Sequence, residues 1–204
     1  LAAWATRLTN TLAKMGADLA ELTMTDLGEV QLGGAGGSST MPQKQNPVGA
    51  GAIMALAAHV TALNSVLQGA AAHKQQRDGA AWISEWLTLP QLVLGTGAAL
   101  VHAERLASDL SPNSERMKAN IESGQGMIFA EALSFALADH MPRPEAQNKT
   151  KELCTTALKT GKNLAQVAAE AYPEVELGEV FDMTAQLGAA PQEARAFAAA
   201  VRAL

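Results

Sequence analysis

Cysteine is nearly absent: Cys154 is the single one among 204 residues. That excludes an intrachain disulfide framework and a multi-cysteine metal site. Aromatic residues are scarce at 4%, and charged residues reach only 17%. No uninterrupted apolar run attains the roughly 18 residues of a membrane span, so no membrane partner is expected. Positive charge is not in excess either. The formal net charge is -5, which leaves nucleic-acid binding without an electrostatic footprint. The start carries no initiating Met, no basic leader and no cleavage-site pattern. The chain opens on Leu1 with LAAWATRLTNTLAKMGADLAEL, already inside a helical pattern. It reads as a piece of a longer protein whose N-terminal domain is absent from this chain.

What is present is a chain that is 48% hydrophobic, enough to bury a core and to exclude global disorder. Abundant alanine with few aromatics favours closely packed helices. The periodicity predicts an all-α fold. Leu8, Leu12, Met15, Leu19 and Leu22 mark one helix over residues 1–29. Ile53, Leu56, Val60, Leu63 and Leu67 mark a second over about 47–72. A third spans about 80–109, with a kink expected at Pro90. Shorter helices are expected over about 113–122, 127–140, 143–159, 163–171 and 191–203. No alternation is strong enough to predict a strand. Ser111-Pro112-Asn113 places a boundary: residues 1–110 form a segment of a central long-helix bundle, and 111–204 a small C-terminal helical cap domain. Three long alanine-rich helices have more apolar face than they can hide from one another, so partner helices are expected.

Between the first two helices lies Leu32-Gly33-Gly34-Ala35-Gly36-Gly37-Ser38-Ser39-Thr40-Met41-Pro42-Gln43-Lys44-Gln45-Asn46-Pro47. Four glycines in five residues break any helix, so 33–46 is a loop. Asn46 reads as the N-cap of the next helix and Pro47 as its first residue. Two hydroxyls, an ammonium and a carboxamide follow the glycines within nine residues. Their chemistry suits a dicarboxylic or tricarboxylic substrate, helped by the unpaired N–H groups of the helix start. A serine under that much positive potential can act as a base. The plainer readings are a flexible connector, a surface lysine at Lys44 and a mere cap at Asn46.

This segment resembles the GSSxMPxKxN signature of the fumarase/aspartase superfamily, matched at Gly37, Ser38, Ser39, Met41, Pro42, Lys44 and Asn46. The resemblance implies a long-helix bundle of that type, assembled as a homotetramer with shared active sites. It implies Ser38 as the catalytic acid/base. It implies Lys44 and Asn46 as the groups that hold the substrate carboxylate and stabilise the aci-carboxylate dianion. Ser39, Thr40, Met41, Gln43 and Arg77 are expected to bind substrate. No cofactor and no metal is implied, and the location expected is cytoplasmic. The catalytic histidines of the superfamily lie mainly in the N-terminal half.

A second stretch, His73-Lys74-Gln75-Gln76-Arg77-Asp78-Gly79-Ala80-Ala81-Trp82-Ile83-Ser84-Glu85-Trp86, narrows the branch. Adenylosuccinate lyases carry an arginine here, then a serine and a second arginine that hold a phosphate. This chain has Arg77, then Trp82 and Trp86, which cannot form a phosphate clamp. The two motifs together look like the bacterial 3-carboxy-cis,cis-muconate cycloisomerases. The implied reaction lactonises a small tricarboxylate diene in aromatic (β-ketoadipate) catabolism. The alternatives are a lyase releasing fumarate from adenylosuccinate or argininosuccinate, and a non-catalytic helical oligomerisation fragment. Arg77 could instead form an ion pair with Asp78 or Glu85, and the tryptophans could only pack against helices. His59 and His102 read as core or interface residues. One departure stands at Gln147, where relatives often carry a histidine: it cannot titrate.

Overall fold

The computed structural model describes residues 1–33, 36–37 and 45–204, the backbone alone at 36, 37 and 45. The fold is all-α, with nine helices among the described residues. Two compact units divide the chain, Leu1–Met117 and Lys118–Leu204.

The first unit is built on α1 (Ala2–Leu22), α2 (Val48–Gly69) and α3 (Gly79–Asp109). The three run up, down and up. One end of the bundle packs Ala5 with Val60 and Leu92, and the other packs Leu19 with Ala50, Ile53, Ala103 and Leu106. Small residues set the helix spacing. A Cβ added at Gly16 would lie 3.0 Å from the Ala50 carbonyl oxygen, so glycine there lets α1 and α2 approach closely. Pro90 lies inside α3, which continues through it.

Three readings of the sequence are corrected here. The first helix ends at Leu22 rather than near residue 29. The Thr23 hydroxyl donates to the Leu19 carbonyl, and Gly28 turns the chain at φ +61. Extended pairing also exists, although no strand was predicted: β1 (Val30–Leu32) pairs antiparallel with β4 (Leu110–Pro112), Gln31 opposite Ser111. Strands this short leave no alternation to read. Finally, α2 is long and apolar enough to cross a membrane by length and composition. Scattered polar residues such as His59, Thr61 and Asn64 interrupt its runs without making it polar overall. Within the unit its Ala50, Ile53, Ala57 and Val60 are buried, which is what a bundle helix requires.

The unit boundary lies beyond the expected break at residues 111–113. Asn113 N–H donates to the Glu29 carbonyl, and the Arg116 guanidinium donates to the carbonyls of Asp26 and Leu27 at 2.6 and 3.1 Å. These bonds tie the start of α4 (Ser114–Ser123) to the first unit.

The second unit packs α5 (Ala130–Ala138), α6 (Arg143–Thr160) and α7 (Leu164–Ala171) around Leu133, Leu137, Leu153 and Leu164. Cys154 is half-buried against this core, and burial pushes its thiol pKa up. Gln147 is exposed on α6. Two last helices, α8 (Met183–Gln186) and α9 (Ala190–Arg202), bury no residue within the chain.

Candidate active site

Two antiparallel pairs frame the signature segment. β1 leads into it and is clasped to the end of α3 through β4. Then β2 (Gly36–Gly37) pairs with β3 (Gln45–Asn46), Gly36 opposite Asn46 and Gly37 opposite Gln45. Gly37 and Gln45 are the covalent neighbours of Ser38 and Lys44. Ser38, Ser39, Thr40, Met41, Gln43 and Lys44 themselves lie outside the described residues.

Asn46 is half-buried in this frame. It is not the N-cap that its position suggested. Pro47 takes the flanking position, the helix opens at Val48, and no side chain among the described residues caps it. Pro47 has no backbone N–H, and its ψ of 65° keeps it outside the helix. No acidic residue occupies the first turn of α2. Its leading N–H groups therefore keep their partial positive charge.

That first turn borders a cavity of about 280 Å³. Pro47, Val48 and Gly49 line one side; His102, Arg105, Leu106 and Asp109 line the other, from α3. His102 is half-buried and Arg105 exposed. His102, expected in the core or at an interface, lines this cavity. Residues 102, 105 and 109 share one face of α3, and the antiparallel docking of α3 on α2 turns that face to the cavity. The lining thus brings an imidazole, a guanidinium and a helix start together with the Asp109 carboxylate, whose charge opposes that of Arg105.

Arg77 lies on the turn before α3, next to the N-cap residue Asp78. Asp78 organises this turn. Its Oδ1 accepts from the N–H groups of Ala80 and Ala81, and its Oδ2 accepts from the Lys74 N–H. Those bonds hold its carboxyl below the ordinary 3.8. The contribution to stability is therefore complete above that value and is lost as pH falls through the lowered one. Asp78→Ala is expected to lower the melting temperature at pH 7, with the gap to the parent closing in strong acid. Thermal unfolding followed by circular dichroism across pH checks this, and equal melting temperatures at pH 7 would remove Asp78 as the cap.

The Arg77 guanidinium lies over the Trp82 ring, 5.7 Å from its centroid. Trp82 in turn stacks on Trp86, with centroids 5.5 Å apart and planes 24° from parallel. Among the described residues no carboxylate is within ion-pair distance of Arg77. The expected alternative of a pair with Asp78 or Glu85 is not formed. No cluster of three or more metal-ligating side chains occurs among the described residues.

Comparison with known proteins gives this geometry its family. A family described as "Lyase" matches residues 1–62. The chain is 34% identical over 190 residues to a 3-carboxy-cis,cis-muconate cycloisomerase of Acinetobacter baylyi, covering 89% of this chain and 42% of that protein. The crystal structure of the 3-carboxy-cis,cis-muconate lactonizing enzyme from Pseudomonas putida superposes with a TM-score of 0.82 at 31% identity, over 93% of this chain and 43% of that one. The chain belongs to the fumarase/aspartase superfamily of lyases. Within that superfamily it is also 35% identical over 190 residues to a nitrosuccinate lyase of Streptomyces davaonensis, 88% of this chain and 40% of that protein. The chain spans less than half the length of the relatives it matches. Superfamily membership fits the long-helix unit and the position of the signature segment between α1 and α2.

Proposed function

We propose that the protein carrying this chain is a cytoplasmic cycloisomerase that lactonises 3-carboxy-cis,cis-muconate. The observation that carries this reading is the superposition on the lactonizing enzyme at a TM-score of 0.82 with 31% identity. The Arg77–Trp82–Trp86 stack supports it. Two stacked indoles cannot clamp a phosphate, so a nucleotide substrate such as adenylosuccinate is disfavoured.

In the reaction one carboxylate oxygen of the substrate adds to a C=C carbon, closing a lactone. The adjacent carbon, which becomes carbanion-like and shares its charge with a carboxylate, takes a proton. Ser38 delivers that proton. Lys44 and Asn46 hold the carboxylate whose charge grows in the transition state, and the first turn of α2 adds its N–H groups. Arg77 receives a second carboxylate. The reverse path is a β-elimination, which also suits a succinate-type substrate. The 35% identity to nitrosuccinate lyase favours that as the second reading.

Lactonisation removes the conjugated diene, so turnover is followed by loss of its ultraviolet absorbance. Conversion of 3-carboxy-cis,cis-muconate by the intact protein, without release of fumarate from adenylosuccinate or argininosuccinate, is the expected result. Turnover of nitrosuccinate with the muconate untouched would replace the first reading by the second.

The proposal includes a homotetramer in which subunits share active sites. Trp86, Leu87, Val93, Leu94 and Val101 all stand 47% or more exposed along α3, and an apolar face of that extent suits helix packing between copies. Light scattering of the intact protein is expected to give four subunits. An active monomer would contradict shared sites.

A further inference from the structure

We infer that Trp82 is a positioning residue for Arg77, fixing the guanidinium so that its N–H edge meets a substrate carboxylate. This rests on the reading of Arg77 as a carboxylate receptor. An exposed arginine ordinarily samples many rotamers, and ordering it on binding costs affinity. Three features of this structure remove that freedom in advance. The backbone turn is closed by Asp78, whose two carboxyl oxygens bind N–H groups on both sides of Arg77. The guanidinium lies over the Trp82 ring, 5.7 Å from its centroid, and is attracted to it. Trp82 stacks in turn on Trp86, with ring centroids 5.5 Å apart, so the indole has an aromatic neighbour of its own.

The donors of Arg77 are meanwhile unspent. No hydrogen bond or ion pair to a described residue engages the guanidinium. A cation held over a ring keeps its N–H donors for a further acceptor, and the fork of a guanidinium can bind a carboxylate through two parallel bonds. An arginine kept only for structure would be found bonded to the neighbouring Asp78 or Glu85. This one is held by a neutral ring, which fixes orientation without neutralising charge.

The test is a double-mutant cycle on the intact protein, with KM and kcat read separately for 3-carboxy-cis,cis-muconate. Arg77→Gln is expected to raise KM on the order of tenfold or more, and Trp82→Leu several-fold with kcat retained. Trp82→Phe, which keeps an aromatic face, should recover most of the loss, and unchanged melting temperatures exclude a folding defect. In an Arg77→Gln background, Trp82→Leu should add nothing. An Arg77→Gln effect with Trp82→Leu silent, or additive effects in the double variant, overturns the positioning role alone. An Arg77→Gln variant with unchanged KM removes the arginine from the site and overturns the inference together with that assignment. Should Trp82→Leu fail to fold, Trp82→Phe and Trp82→His carry the same cycle.

Discussion

Replacing Ser38 by alanine is expected to lower kcat on the order of a hundredfold or more, with substrate affinity largely retained. The hydroxyl is the only atom removed, and it is the proton carrier in the proposed reaction. A neutral serine is a weak acid and base near pH 7, so its use requires a site closed to water and rich in positive potential. In the proposed reaction the first turn of α2 and Lys44 supply that potential. Carboxylate binding should survive, because Lys44, Asn46 and the helix start remain. Ser39→Ala should be milder, since its hydroxyl is assigned to binding rather than to proton transfer. Steady-state kinetics on the two single variants decide the matter. Loss of turnover in Ser39→Ala with Ser38→Ala active would reverse the assignment, and two active variants would remove the superfamily mechanism from this protein.

Lys44→Met and Asn46→Leu carry the second large effect. In the proposed reaction each removes a group that meets charge growing in the transition state, and each is expected to cost about 2–4 kcal/mol in the barrier. That is roughly thirty- to a thousandfold in rate at room temperature. Folding should be little disturbed. For Asn46 the reason is structural: it does not cap α2, so its side chain is not spent on the helix start. Circular dichroism alongside kinetics separates the two effects. Folded variants with near-parent turnover would exclude both residues from the site.

The sequence carried the helices well where a periodic apolar stripe met a clear stop. Asp78 ahead of α3 and Asn163 ahead of α7 each accept a hydrogen bond at the helix start, as their residue types predict. At α2 the same reasoning failed by one position. An Asn-Pro pair looks like cap and first turn, but here Asn46 is drawn into a ladder with Gly36, and tertiary pairing overrode local preference. The end of α1 was overextended because Leu22 is followed by apolar and helix-tolerant residues. What stops the helix there is the turn at Gly28 and the clasp of β1, contacts to a segment far along the chain. The placement of His102 and Arg105 on a cavity needs the fold for a related reason. A helical wheel gives their common face, but only the antiparallel docking of α3 on α2 puts that face beside the signature segment. The chemistry of the signature, by contrast, is written in consecutive residues and needs no fold to be read.

The clasp between Val30–Leu32 and Leu110–Pro112 also bears on the order of assembly. It joins strands on the order of eighty residues apart, and the entropic cost of bringing such ends together rises with the length of chain between them. The α2–α3 hairpin shortens that search, since its antiparallel run returns the chain to where it left. The ladder is thus a consequence of helix docking, and so non-local a pairing is slow until the docking exists. The frame of the site is therefore expected to close only after the helices have docked. Packing at the opposite end of the hairpin then reaches the site through folding rather than through contact. A Cβ at Gly95 would lie 3.1 Å from Val60 Cγ2, and a side chain there would press on the hairpin that brings the clasp together.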